Sequence, residues 1–181
     1  PLQGVTFQHA TDGFYKELRD IAAAHQVSFI VDETLTGAGS TGAYWGHERW
    51  GLSTPADFVT FGRKAQASGM WARHCALPDN TWRLFNDNTG NPINLLKLEA
   101  LNKTIIKDNL LVKVADTGDL LKRGLEGIAG VSNVHVRGSQ IGFDLASSEV
   151  NAKLQTKLRA QGVAINGAGP RRACINPALI C

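Results

Sequence analysis

What this chain has little of narrows its reading before any motif does. Only three cysteines occur in 181 residues, Cys75, Cys174 and Cys181. Their odd count at wide spacing argues against a disulfide scaffold and fits no metal-ligand pattern. It suits a reducing compartment, and cytosol and mitochondrial matrix are equally compatible with it. Charge of one sign is not in excess: 19 Lys and Arg stand against 16 Asp and Glu, a net of +3. The basic residues are scattered, with adjacent pairs such as Arg63-Lys64 and Arg171-Arg172. Without a basic stripe interleaved with aromatics, nucleic acid is an unsupported partner. No apolar run reaches the length of a membrane span, so no membrane partner is expected. Repeats and low-complexity tracts are missing too. At 43% hydrophobic and 19% charged, the composition is that of a globular chain able to bury a core. The opening PLQGVTFQHA and the closing INPALIC both read as interior sequence, so a piece of a longer protein is expected.

What is present reads as α/β. DGFYKELRDIAAAHQ, from Asp12, carries Phe14, Leu18, Ile21 and Ala22 on one helical face. VSFIVDE, Val27 to Glu33, is short, apolar and rich in β-formers, as a buried parallel strand would be. Helix followed by buried strand is the grammar of an α/β layer. DFVTFG, Asp57 to Gly62, reads as a second strand and GMWARHC as a third. A polar loop spans Pro78 to Pro92. From Asn91, Leu95, Leu98, Leu101, Ile105 and Ile106 form a helical face. After a break near Asp108, Leu110, Val114, Leu121 and Leu125 continue it. VSNVHVRGSQIGFDLA reads as a hairpin turning at Gly138. SSEVNAKLQTKLRAQG reads as a helix capped by Ser148 and Gly162, and VAING and ACINPALI as closing strands.

Gly37, Gly39 and Gly42 spell G-x-G-x-x-G after the first strand. The chemistry around them is wrong for a dinucleotide. Asp32 and Glu33 stand between strand and glycines and would repel a pyrophosphate, and no long amphipathic helix follows. A P-loop fails as well, because Ala43 and Tyr44 occupy the positions of its Lys and Ser/Thr. The carboxylates invite a different reading. A carboxylate at the C-terminal end of a buried strand needs a cation or a strong donor. Lys64 lies just past the end of the second strand, and an amine there can form a Schiff base. Asp32 and Lys64 together are the pair that pyridoxal phosphate requires: an amine for its aldehyde and a carboxylate for its ring nitrogen. On spacing alone, a surface lysine and a helix-capping aspartate explain the same two positions.

The wording of the sequence goes further. PLQ, FYKELRDIAAAHQVSFIVDE, TGAGSTGAYWGHERWGL, PADFVTFGRK, WRLFN, GNP and VRG, in this order and over nearly the whole chain, resemble the C-terminal portion of class III, fold-type I aminotransferases. The resemblance implies the C-terminal part of a large domain with a mostly parallel sheet over 1–92, then a small α+β domain over 93–181. It implies amino transfer from an ω-amine such as 4-aminobutyrate to 2-oxoglutarate, with pyridoxal 5'-phosphate as cofactor, in a homodimer. Carried over by position, Lys64 would be the catalytic residue, joined to the cofactor. Asp32 would pair with the pyridine nitrogen and Thr34 would lie against a ring face.

The sequence departs from the family pattern at several points. Thr34-Leu35 replaces Val-Gln, and Leu35 cannot hydrogen-bond the cofactor. Asp87 replaces a phosphate-binding Thr, GVTF replaces an acidic-Gly-Gly stretch, and Cys174 and Asn176 replace two arginines. These departures favour a rival reading, a non-catalytic relic of the same fold. His47 and His74, without partners at metal spacing, read as packing or solvated residues, and Trp45, Trp50, Trp71 and Trp82 as core or interface anchors.

Overall fold

The computed structural model describes residues 7–77, 79–80 and 90–181. The opening PLQ, Trp82, Asp87 and most of the polar loop lie outside these residues. Contacts divide the chain into two compact units. One holds Ala10–Gly39 and Ala43–Asn109, and the other holds Ser40–Gly42 and Leu110–Cys181 with the described residues before Ala10.

In the first unit, Thr11 caps helix α1 (Asp12–Ala24) by accepting from the Phe14 N–H, so the helix starts where a side-chain oxygen can meet an orphan donor. Strands β1 (Ile30–Glu33) and β2 (Phe58–Phe61) run parallel, with Asp32 opposite Thr60. Strand β3 (Gly69–Ala72) pairs antiparallel with β2, giving the order β1-β2-β3. Among the described residues the core cluster beneath is small: Val31, Ala56 and Val59, with Phe29 and Trp50 packed on it. The apolar face of α1 is largely open. Phe14 is 52% exposed and Ile21 57%, while Arg19 is the helix residue that is buried. Its guanidinium meets Asp57 at 3.1 Å and lies over the Phe29 ring, so an ion pair takes the place of an apolar contact. Helix α2 (Pro92–Lys107) begins at an Asn91 cap and buries Ile105, whereas Leu95 and Ile106 face outward.

In the second unit, α3 (Leu110–Glu126) lays Leu121 and Leu125 against a core of Ile141, Phe143, Leu145, Ile165 and Ala173. Strands β4 (Val131–Arg137) and β5 (Gln140–Leu145) form the expected hairpin around Gly138. Strands β6 (Asn166–Gly167) and β7 (Arg172–Ile175) complete a sheet ordered β4-β5-β7-β6. The register slips between Ser132 and His135. There the Asn133 side chain donates to Asp144, and Asp144 also pairs with the buried Arg172 at 2.8 Å. Helix α4 (Ser148–Ala160) is capped by Ser147, not Ser148, and closes at Gln161, with Gly162 in the left-handed region one residue on. The sequence SS offers two equivalent caps, and the backbone selects the first.

Candidate active site

The site sits in the first unit, at the C-terminal ends of the two parallel strands, the edge where open α/β sheets bind ligands. Pairing Asp32 with Thr60 brings the end of β1 beside the end of β2. Beyond β2 the chain turns through Gly62 into a single 3-10 turn, Arg63–Ala65, that carries Lys64. Arg63 (φ 44°) and Gln66 (φ 62°) flank Lys64 in left-handed conformations that non-glycine residues seldom adopt. Strain of this kind concentrates at functional sites. A Cβ on Gly62 would lie 3.0 Å from the Ser68 hydroxyl and 3.7 Å from the Thr34 methyl, so Thr34 lies close beside this turn. The fold thus brings Asp32, Thr34 and the turn bearing Lys64 to one sheet edge.

Asp32 is exposed, and its Oδ1 accepts from the Thr34 N–H and the Thr60 hydroxyl, each at 3.0 Å. Burial is the strongest single influence on its carboxyl and acts upward. Hydrogen bonds from Thr34 and Thr60, helped by the charge of Arg63, outweigh it and hold the group below the ordinary carboxylate range. Lys64 is half-buried, and burial pushes its amine below the usual lysine range. One group is therefore held anionic, and the other is biased toward the neutral, nucleophilic form.

Reading Asp32 and Glu33 as a pair of acids at a strand end requires separation. Successive strand residues face opposite sides, and Glu33 turns inward to 1% exposure. Its carboxylate accepts from the N–H groups of Gly46 (3.1 Å) and His47 (2.8 Å), and from the Thr36 hydroxyl. It also contacts His47 Nδ1 at 2.7 Å. Desolvation pushes this carboxyl up, but the donors around it, His47 foremost, pull it below its ordinary value. The inward turn of Glu33, its His47 contact and the part played by Thr60 were not foreseen. The strand's two-residue period was the available signal for Glu33. The glycine-rich segment is a turn. Gly37 donates its N–H to the Glu33 carbonyl and has no room for a Cβ, because the Trp45 ring would lie 2.8 Å away.

Of the residues that depart from the family pattern, Leu35 is half-buried after β1. Cys174 is 2% exposed within β7, opposite Gly142, and the Asn176 carboxamide accepts from the Ser139 hydroxyl at 3.4 Å. Trp50 stacks on Tyr15 at 4.0 Å as an anchor, whereas Trp71 is 62% exposed.

The architecture is part of the fold-type I aminotransferase fold. The lysine aminotransferase from M. tuberculosis aligns with a TM-score of 0.85 at 24% identity, over 96% of this chain and 42% of that one. The Aminotransferase class-III family matches residues 1–181, and the chain belongs to that family. It is 38% identical over 178 residues to a 4-aminobutyrate aminotransferase of Dictyostelium discoideum, covering 96% of this chain and 36% of the relative. It is 37% identical over 178 residues to a mitochondrial 4-aminobutyrate aminotransferase of Homo sapiens, covering 95% of this chain and 35% of the relative. The chain thus spans about a third of the length of these curated relatives. No helix among the described residues is long and apolar enough to cross a membrane.

Proposed function

We propose that this chain carries the lysine-bearing part of a pyridoxal-phosphate aminotransferase. The whole protein would move an amino group from an ω-amine of the 4-aminobutyrate type to a 2-oxo acid, 2-oxoglutarate. The observation that supports it most is Asp32 on the end of β1 beside the turn just past β2 that carries Lys64, with their ionisation biased in the directions this chemistry uses. Identity of 37–38% to two 4-aminobutyrate aminotransferases supports the substrate class. The residues fit the cofactor. Lys64 would hold its aldehyde carbon, Asp32 would hold the proton on its ring nitrogen, and Thr34 would bound the pocket beside the Lys64 turn. The protonated ring, when bound, supplies an electron sink. Lys64 supplies the base: its ε-amine, whose affinity for a proton burial lowers, takes and returns a proton at the substrate carbon. Asp32 stays anionic throughout, held by Thr34 and Thr60. We propose a homodimer in cytosol or mitochondrial matrix, the latter in line with the names of the mammalian relatives.

The test is cofactor trapping on the full-length protein. Incubation with pyridoxal 5'-phosphate, borohydride reduction and peptide mass spectrometry should give a single adduct at Lys64, lost in Lys64→Ala. Adducts spread over surface lysines would refute the reading. They would favour the second one, a non-catalytic relic, which the buried Cys174 and the Ser139-bound Asn176 support, since both stand where the family pattern has arginines.

A further inference from the structure

We propose that Glu33, acting through His47 and the turn after β1, is a positioning residue that sets how the Asp32 carboxylate is held. The inference deepens the proposed function and rests on it only for what Asp32 would meet. Among the described residues Glu33 is the one acid with under a tenth of its surface exposed. A buried carboxylate is costly unless its lone pairs are filled, and these are filled. Oε1 takes the His47 N–H and faces the His47 ring. Oε2 takes the Gly46 N–H and the Thr36 hydroxyl. The donors come from positions 36, 46 and 47, so one side chain ties both ends of the loop that follows β1.

The tie reaches Asp32 through the backbone. The Glu33 carbonyl accepts from the Gly37 N–H at 2.9 Å and closes the turn 33–37. Thr34 lies inside that turn, and its N–H is one of the two donors on Asp32 Oδ1. Trp45 seals the turn, leaving no space for any side chain at position 37. The groups facing Asp32 are Thr34, Thr60 and Arg63. Those facing Glu33 are Thr36, Gly46 and His47. Only Thr34 belongs to the turn that Glu33 braces, so it is the donor that would drift when the brace is cut. Neutralising Glu33 has two effects of opposite sign on Asp32. Losing a nearby negative charge favours ionisation of Asp32, but Glu33 is not among the main influences on that carboxyl, whereas Thr34 supplies the two largest lowering ones, so losing the Thr34 donor prevails and disfavours ionisation.

The experiment follows the Asp32 carboxyl carbon by NMR during a pH titration of full-length, aspartate-labelled protein, assigned with Asp32→Asn. In Glu33→Gln the Asp32 titration midpoint should rise by about one pH unit, the scale of one lost hydrogen bond to a carboxylate. The dissociation constant for pyridoxal 5'-phosphate should rise roughly tenfold, the scale seen when an outer partner of a ligand group is removed. His47→Gln, which keeps the Thr36 and Gly46 bonds, should move both readouts the same way by less, and it carries the test if Glu33→Gln does not fold. An unchanged or lowered Asp32 midpoint, with only thermal stability reduced, would overturn the proposal. If the wild type takes no cofactor at Lys64 but the Asp32 midpoint still rises in Glu33→Gln, positioning stands and the functional reading fails.

Discussion

At the scale of single residues, two neighbours in sequence do unrelated work. Asp32 looks out and Glu33 looks in, because a strand turns over every residue. Asp32→Asn keeps the shape but cannot carry the charge that would hold a ring proton. With the full-length protein and saturating cofactor, kcat for amino transfer should fall by about a hundredfold or more, while far-UV circular dichroism stays unchanged. Asp57 offers a stability test with a definite sign. Its carboxylate accepts from the Phe29 N–H at 2.8 Å and pairs with Arg19 and Arg73, and these contacts hold it below the ordinary aspartate range. A depressed folded value means that its contribution is complete above the unfolded value of roughly 4. It is lost as pH falls through the lower folded value. Asp57→Asn strands the 4%-exposed Arg19 side chain without its counter-charge. Urea denaturation should show a loss of about 2 kcal/mol at pH 7, after allowance for the partial exposure of the pair, and the mutant should show less loss on acidification than wild type.

At the scale of elements, close backbone approach in the second unit leaves clear fingerprints. Gly138 sits at φ +57°, and a Cβ there would lie 2.5 Å from the Thr41 carbonyl carbon and 2.8 Å from the Ser40 oxygen. A Cβ on Gly118 of α3 would lie just as close, 2.5 Å, to the Gly138 oxygen. Gly138→Ala therefore combines a disfavoured dihedral with overpacking and should cost about 3 kcal/mol in chemical denaturation. Ser147→Ala, which removes only a helix cap, should cost about 1 kcal/mol. These elements were largely legible in the sequence. The hairpin around Gly138, the break after Asp108 and the parallel pair β1–β2 follow from local period and turn chemistry. The cap one residue from the expected Ser148 was not, since Ser147 and Ser148 carry the same chemistry. Nor was the outward face of α1: periodicity identifies an apolar stripe at Phe14, Leu18 and Ile21 but not whether anything packs on it. At the site, strand ends pointed to Asp32 and Lys64. The Glu33–His47 contact, fourteen residues apart through an irregular loop, leaves no periodic trace.

At the scale of the whole molecule, the two units differ in how much core each holds. The second unit buries Ile141, Phe143, Leu145, Ile165 and Ala173 together, with eight partly buried apolar residues against them. Among its described residues the first has Val31, Ala56 and Val59 with two such neighbours, and it leaves Ile30 62% exposed on an edge strand and Trp71 equally so on the other edge. Local stability follows buried apolar contact, and apolar edges without partners open most easily. The curated relatives are nearly three times as long as the stretch matched here, so such edges belong to a chain that spans a minority of a typical family member. Hydrogen exchange on the 181-residue polypeptide should therefore rank amides by unit. Those of β5, β7 and the buried turns of α3 should be the slowest, and those of β1 and β3 should exchange at least about tenfold faster, a difference of about 1.4 kcal/mol in opening free energy. In the full-length protein, cover over Ile30 and Trp71 should slow exchange in β1 and β3 and narrow the gap. Equal protection of both sheets in the 181-residue chain would show that the small core, braced by Glu33 and by the Arg19–Asp57 pair, suffices by itself.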